Sequence, residues 1–287
     1  MIQSAIKGNF QLNINGKLLS LDKPLVMGIL NATPDSFYSG SRCGNDDTAI
    51  ADRARRIIDE GGQIIDIGAY SSRPDATHIS VKEEWKRLAH ALAIVRDIYP
   101  EAILSVDTFR AEIARRCVEQ YNVQIINDIS GGELDAEMYD CVAELHVPYI
   151  LMHMHGTPQT MQQHTEYPDL MADVVAYFAE RVARLHRLGV SDIILDPGFG
   201  FGKSLDGNYL LMQRLSELQA LNLPLLVGVS RKSMIYKLLD TSPEESLNGT
   251  SILNTLALLG GADILRVHDV KEAVETVKIV TKTLEAV

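Results

Sequence analysis

The sequence has little cysteine and no long hydrophobic run. Its 287 residues include only three cysteines, which are too widely spaced for a disulfide framework or a Cys-x-x-Cys metal site. No segment reaches the roughly 18 uninterrupted apolar residues that a membrane-spanning helix needs. The first twenty residues lack the apolar core of a signal peptide. We therefore expect a protein of the reducing cytoplasm that does not bind a membrane.

Positive charge is also scarce. Lys and Arg number 27 against 38 Asp and Glu, which gives a net charge of −11. Such a balance disfavours broad, sequence-independent binding of nucleic acid or anionic membrane, although a local basic pocket remains open. Hydrophobic residues make up 46% and charged residues 23% of the chain, as in ordinary globular proteins. No linker or low-complexity segment interrupts the chain, so residues 1–287 are expected to form one domain.

Eight short runs rich in Val, Ile and Leu alternate with stretches of helical periodicity. After Ser80, for example, apolar residues recur at steps of 4, 3, 4 and 3 from Val81 to Val95, which places them on one helix face. Eight such repeats predict an α/β fold of the (β/α)8 TIM-barrel type over residues 25–287. The runs cover residues 25–30, 63–67, 102–106, 123–127, 149–153, 192–195, 225–229 and 263–267.

The first 24 residues precede these repeats. Asn15-Gly16 lies between two short apolar runs, and this dipeptide suits the two-residue type I′ turn of a β-hairpin. We expect an N-terminal β-hairpin within residues 1–24 that lies across the N-terminal mouth of the barrel.

Polar residues follow almost every predicted strand. In a TIM barrel the carboxyl ends of the strands meet at one mouth, where active sites lie. A single Asp, Asn or Ser at such a position is more often a helix cap. Capping explains poorly why Arg, Lys and His occur there too, so we expect a catalytic mouth. The residues are Asn31, Ser71, Ser72, Arg73, Asp107, Asn127, Asp128, His153, His155, Asp196, Ser230, Arg231, Lys232, Arg266, His268 and Asp269.

Four common motifs are incomplete or absent in this sequence. The glycine-rich segment 196–204 lacks the first glycine of a P-loop, because Pro197 stands there, and Lys203 replaces the third glycine of a dinucleotide fingerprint. His153 and His155 alternate along one strand, but two ligands are too few for zinc, so we expect one to line the mouth and the other to pack. No Gly-x-Ser-x-Gly elbow of a serine hydrolase is present.

The remaining polar residues suggest a ligand. Asp107, Asn127 and Asp196 can hydrogen-bond along the edge of a planar, amide-like heterocycle. Arg73, Arg266 and His268 can supply cationic donors to an anion, and the loops after strands 7 and 8 often bind phosphate. The residues by themselves point to a flat nitrogen heterocycle that carries a phosphate or diphosphate.

At this point the motifs resemble those of the dihydropteroate synthases, which join a pterin diphosphate to 4-aminobenzoate. They include the Ser-Ser-Arg-Pro loop, the Asp-Pro-Gly-Phe-Gly-Phe-Gly-Lys segment and the Arg-Val-His-Asp-Val end, in the family's order. The matching segments are 27–37, 66–68, 71–74, 105–108, 126–131, 151–154, 195–203, 228–234 and 266–270.

The resemblance implies a role for each matching residue. Asn31 would bind Mg²⁺, the implied cofactor, beside the diphosphate. The implied pterin pocket consists of Asp107, Asn127, Asp196, Lys232 and Arg266. The implied diphosphate contacts are Asn31, Ser72, Arg266 and His268. The implied aminobenzoate subsite consists of Ser72, Arg73, Pro74, Phe201, Lys232 and Ser233. As catalytic residues the resemblance implies Asn31, Asp107, Asp196, Lys232, Arg266 and His268.

Some points depart from the family or stay open. Ser72 stands where the family commonly has Thr, Ala32 and residues 39–42 differ from the common first loop, and His155 often corresponds to Gln. A methyltetrahydrofolate:corrinoid methyltransferase is the nearest alternative, and a catalytically silent barrel is another. The apolar stretch 251–260 is expected to be a helix packed wholly on the barrel, whereas the resemblance implies a homodimer through the last helices.

Overall fold

Eight parallel strands form one sheet that curls into a nearly closed barrel in the computed structural model, which describes residues 10–33, 43, 46–71 and 78–286. Each strand pairs with its predicted neighbour, and a single parallel bridge between Leu195 and Leu225 completes the circle. The TIM-barrel prediction is therefore confirmed. The barrel strands are β3 (Leu25–Asn31), β4 (Ile64–Gly68), β5 (Ile103–Asp107), β6 (Ile125–Asp128), β7 (Tyr149–Met152), β8 (Ile193–Asp196), β9 (Leu226–Val227) and β10 (Ile264–Val267).

Helices connect these strands and cover the outside of the barrel. Strand residues are buried on both faces, as a parallel sheet between a barrel interior and a helical layer requires. The helices are α1 (Asp47–Asp59), α2 (Val81–Ile98), α3 (Ala111–Tyr121), α4 (Met138–Leu145), α5 (Leu170–Arg187), α6 (Leu205–Gln213), α7 (Ser233–Tyr236), α8 (Leu247–Leu259) and α9 (Val270–Glu285).

Helix α2 shows how the sequence specifies this layer. Ser80 caps its N-terminus by accepting a hydrogen bond from the Glu83 N–H at 3.2 Å. Leu88, Leu92 and Val95 on its predicted apolar face are fully buried against the sheet. The helical spacing therefore predicted both the element and the side that it buries.

The hairpin prediction is also confirmed. Strands β1 (Gln11–Ile14) and β2 (Lys17–Ser20) pair in antiparallel fashion. Asn15 and Gly16 between them have φ angles of 51° and 80°, the left-handed values that a type I′ turn needs. The hairpin packs its buried side chains, among them Leu12, on the inward-facing residues at the N-terminal ends of the barrel strands. It therefore closes the mouth opposite the polar residues.

Two expectations about the last third of the chain need correction. Strand β9 is only two residues long, since the backbone after Val227 leaves the ladder to form the cavity wall at Gly228 and Ser230. Helix α8 does not pack wholly on the barrel. It buries Leu253 and Ala257, but Ile252, Leu256 and Leu259 lie on its outer face with 53%, 46% and 39% of their surface exposed.

Candidate active site

A cavity of about 330 Å³ opens at the C-terminal mouth of the barrel, where the sequence placed the site. Side chains from loops after most of the strands line it, so residues far apart in sequence meet there. Among them are seven of the predicted site residues, Asn31, Asp107, Phe201, Lys232, Ser233, Arg266 and His268. Ser72, Arg73 and Pro74 lie outside the described residues.

Arg266 is the centre of a buried ion network. Its Nε donates to Asp66 Oδ2 and its Nη2 donates to Asp107 Oδ2, both at 2.7 Å. The two carboxylates raise the pKa of Arg266 above its ordinary value, although burial acts to lower it. Burial raises the pKa of Asp107 to about 7, and Arg266 acts in the opposite direction. The two carboxylates fix the orientation of the guanidinium. The described residues offer no partner for its Nη1, which is left for a ligand.

Asn127 and Asp196 do not line the cavity but lie just behind its wall. Asn127 donates from Nδ2 to Asp66 Oδ2 at 3.2 Å, so it shares an acceptor with Arg266. Asp196 accepts a hydrogen bond from the Gly198 N–H at 2.8 Å, and burial raises its pKa while the nearby Lys232 lowers it. Both residues belong to the site, but through one intervening contact.

Lys232 reaches across the mouth toward the glycine-rich loop after β8. Its ammonium donates to the carbonyl oxygen of Phe199 and lies 4.6 Å from the centre of the Phe201 ring. Burial lowers the pKa of Lys232 to about 8, while Asp196 acts in the opposite direction. Lys232, which was predicted in both the pterin and the aminobenzoate subsites, therefore lies where the two subsites would meet.

A buried lysine fixes the same loop from behind. Lys203 donates from Nζ to the carbonyl oxygens of Gly198 and Phe201, both at 3.0 Å, and to His153 Nδ1 at 3.0 Å. Gly198 has a φ of 69°, and any side chain there would collide with the carbonyl of His153. This loop is therefore held in one shape, which explains a lysine where a dinucleotide motif would need glycine.

His153 and His155 form a cluster with Asp173, a third residue that the sequence did not connect with them. Because Lys203 donates to His153 Nδ1, the ring proton of His153 is on Nε2, which donates to Asp173 Oδ1 at 3.2 Å. His155 reaches the same oxygen at 2.8 Å. Hydrogen bonds account for all three residues without a metal. His153 is fully buried, as expected of one of the two, whereas His155 is partly exposed in the loop after β7 but does not line the cavity.

His268 is a neutral imidazole, not the cation that the sequence suggested. Burial, together with the nearby Arg266, Arg53 and Arg231, lowers its pKa well below the ordinary value. Ser230 Oγ lies 3.0 Å from its Nδ1. Without a bound anion His268 is therefore uncharged, and it can take part in hydrogen bonds to such an anion.

Arg231 contributes less to the mouth than its position in the sequence suggested. Its Nε and Nη2 donate to the two carboxylate oxygens of Asp269 at 2.8 and 2.9 Å, and its Nη1 donates to two backbone carbonyls. This bidentate pair is buried, so Arg231 mainly joins the loops after β9 and β10.

Asp66 and Tyr70 are among the residues of the mouth that sequence reasoning missed. Asp66 lies in the middle of an apolar strand with no exposed surface, and a charged residue inside such a run was the available signal. Tyr70 lines the cavity beside Ser71, and nothing in its local pattern marked it.

The fold and the site together define a TIM barrel with a polar, cation-bearing ligand cavity at its C-terminal mouth. A model of the pterin binding enzyme family matches residues 27–268. The dihydropteroate synthase of Escherichia coli K12 is 44% identical over 277 residues, which cover 94% of this chain and 95% of that protein.

Solved structures agree with this relationship. The Yersinia pestis dihydropteroate synthase with a sulfonamide drug has a TM-score of 0.91 and 40% identity over 96% of this chain and 100% of its own. The Thermus thermophilus dihydropteroate synthase in complex with 4-aminobenzoate has a TM-score of 0.84 and 34% identity over 95% and 99%. The chain belongs to the dihydropteroate synthase family of pterin-binding enzymes. These relatives support the synthase over the methyltransferase alternative.

Proposed function

We propose that this enzyme joins (7,8-dihydropterin-6-yl)methyl diphosphate to 4-aminobenzoate, giving 7,8-dihydropteroate and pyrophosphate. The observation that carries the proposal is the Arg266 guanidinium, which two carboxylates hold at the cavity with one nitrogen free of partners among the described residues. The Thermus thermophilus relative with 4-aminobenzoate supports the second substrate.

In the proposed complex the pterin ring lies against Asp107 and Lys232, which line the cavity, with Asn127 and Asp196 just behind them. The Asp107 carboxylate accepts from a ring N–H group, and Lys232 donates to a ring acceptor. Burial raises the pKa of Asp107, although Arg266 opposes that shift. A carboxyl group with a raised pKa can gain or lose a proton as the charge on the bound ring changes.

The reaction forms a bond between the amine nitrogen and the exocyclic methylene carbon and breaks the bond from that carbon to the diphosphate oxygen. The electron pair leaves with pyrophosphate, and the new secondary amine releases one proton to solvent. The amine is neutral at pH 7, so no strong general base is needed. Arg266 stabilises charge on the leaving group, and His268 donates to it as a neutral group.

The residues around Asn31 fit the proposed Mg²⁺. Asn31 ends β3 at the cavity, and its Oδ1 lies 3.7 Å from the point where a Cβ on Gly68 would be, with Asp107 Oδ2 3.8 Å from that same point. The amide oxygen of Asn31 is the kind of ligand that Mg²⁺ binds, and this ion commonly combines few protein ligands with substrate phosphates. Bound there, the ion would neutralise diphosphate charge.

Pyrophosphate release tests the proposed function. Purified protein is mixed with the pterin diphosphate, 4-aminobenzoate and Mg²⁺, and pyrophosphate and dihydropteroate are both quantified. We expect equal amounts of the two products, formed only when both substrates are present. Pyrophosphate without dihydropteroate would indicate hydrolysis of the pterin diphosphate. If neither product formed, the result would favour the catalytically silent barrel.

We also propose that the enzyme is a cytoplasmic homodimer. Ile252, Leu256 and Leu259 form an exposed apolar stripe on α8, and Ile279 of the adjacent α9 is 67% exposed. Cys117 and Cys141 are free thiols and all three cysteines are buried, as suits a reducing compartment. No helix in the described part of the chain is long and apolar enough to cross a membrane. Sedimentation equilibrium would give twice the chain mass.

A further inference from the structure

Tyr70 stands at the rim of the cavity, two residues after β4 ends. Its ring packs edge-on against Phe109 with the ring centres 5.0 Å apart. It belongs to an apolar cluster at the mouth that also contains Met161 and Phe201, two further residues of the cavity lining. The ring therefore forms part of an apolar wall that suits an aromatic ligand.

The hydroxyl oxygen of Tyr70 contacts two polar groups from different loops. Gln159 Nε2 lies 3.2 Å from Tyr70 Oη, and His78 Nδ1 lies 3.1 Å from it. An amide nitrogen can only donate, so the tyrosine oxygen accepts the bond from Gln159.

Arg110 determines the direction of the second bond. Its Nη2 lies 3.2 Å from His78 Nε2, and a guanidinium has no acceptor, so His78 Nε2 must accept. The proton of the neutral ring is then on Nδ1, which donates to Tyr70. Arg110 is itself fixed, because its Nη1 donates to the fully buried Glu84 at 2.6 Å and its Nη2 donates to the Ile79 carbonyl at 2.7 Å.

The tyrosine oxygen thus accepts two hydrogen bonds, which use both of its lone pairs. Its own hydrogen has no acceptor among the described residues, and it lies on a cavity-lining residue. Resting on the proposed function, we propose that Tyr70 donates this hydrogen bond to the carboxylate of the 4-aminobenzoate substrate and so helps to select an aromatic amine that carries an acid group.

The surroundings favour this carboxylate over the diphosphate as the acceptor. Arg266 and His268, which would hold the diphosphate, come from the end of β10, whereas Tyr70 lies among Phe109, Met161 and Phe201. A benzoate ring can lie on that apolar wall with its carboxylate toward a neutral donor. Two accepted hydrogen bonds also polarise the hydroxyl and strengthen it as a donor.

The test is Tyr70→Phe, which keeps the ring and removes only the hydroxyl. Tyr209→Phe is the matched control, because that hydroxyl donates to the Met234 carbonyl at 2.9 Å and Tyr209 does not line the cavity. Hydrogen bonds to charged groups contribute enough that Tyr70→Phe should raise the KM for 4-aminobenzoate about tenfold. The KM for the pterin diphosphate and the inhibition constant of aniline, which lacks the carboxylate, should change less than about twofold.

Other results would overturn the proposal. An unchanged KM for 4-aminobenzoate would show that the hydroxyl has no role, and an equal loss for aniline would assign the effect to the ring. A rise confined to the pterin diphosphate would assign the donor to the diphosphate. If the wild-type protein has no synthase activity, the proposed function fails, and calorimetric titration of 4-aminobenzoate into wild type and Tyr70→Phe still tests the contact.

Discussion

Asp66→Asn tests whether the network around Arg266 organises the site. Asp66 has no exposed surface and accepts from Arg266 Nε at 2.7 Å and from Asn127 Nδ2 at 3.2 Å. The substitution preserves size but removes one charge-assisted hydrogen bond, which is worth about 1.5–3 kcal/mol. Relief of repulsion between Asp66 and Asp107 offsets part of the loss. We expect the free energy of unfolding to fall by about 1–2 kcal/mol.

Ligand binding should suffer in the same variant. Asn127 and Arg266 both lose their shared carboxylate, and the amide oxygen that replaces it accepts more weakly, so Arg266 is held less firmly at the cavity. We expect about a tenfold loss of affinity for the pterin diphosphate, which corresponds to about 1.4 kcal/mol. Urea denaturation at pH 7.5 gives the stability, and isothermal titration calorimetry gives the affinity.

Asp52→Asn is the matched control on the surface. Asp52 pairs with Arg55 at 2.8 Å on helix α1, but the two side chains are 65% and 51% exposed, and such pairs contribute little. We expect a change below about 0.5 kcal/mol and normal pterin binding. The reasoning would be refuted if Asp66→Asn were as stable as Asp52→Asn and bound the pterin as tightly as wild type.

Three further predictions concern binding, pH and assembly. Lys232→Ala should weaken pterin binding by about tenfold in calorimetry, because a donor buried at the cavity is lost; unchanged affinity would remove Lys232 from the pocket. The pKa of His153 is far below its unfolded value, so the unfolded chain takes up a proton below about pH 6.5 that the folded chain cannot. Wild type should therefore lose stability relative to His153→Gln as the pH falls from 7.5 to 5.5 in urea titrations, and parallel curves would contradict this. Leu256→Glu should convert the proposed dimer to a monomer in sedimentation, because a charge would be placed in the apolar stripe; an unchanged mass would place the interface elsewhere.

The sequence predicted the elements well because their signals are local. Alternating apolar runs and helical spacing gave all eight barrel strands, and Asn15-Gly16 gave the hairpin turn. The strand ends also gave the mouth, since the topology of the barrel brings every carboxyl end to one side. The length of strand β9 was overestimated because an apolar run indicates burial and not strand pairing. The last residues of the predicted run are buried in the cavity wall without pairing.

The roles of charged residues were harder to predict, because pairing depends on distant parts of the chain. Arg231 and Arg266 looked alike in sequence, as basic residues following barrel strands. In the structure Asp269 and two backbone carbonyls engage the guanidinium of Arg231, whereas Asp66 and Asp107 hold that of Arg266 with one nitrogen left for a ligand. The lowered pKa of His268 was not predicted for the same reason, since burial and three arginines act on it together.

The sequence by itself determined the barrel, the position of its catalytic mouth and, through its motifs, the family. These follow from periodicity and residue type, which each short segment carries on its own. Only the tertiary structure decided which donors stay available for a ligand. Whether Arg266 Nη1 has a partner depends on residues more than a hundred positions away in the sequence. Whether the hydroxyl hydrogen of Tyr70 has a partner depends on the tautomer of His78. Hydrogen-bond partners are determined by proximity in the folded chain, which a local pattern of residues does not show.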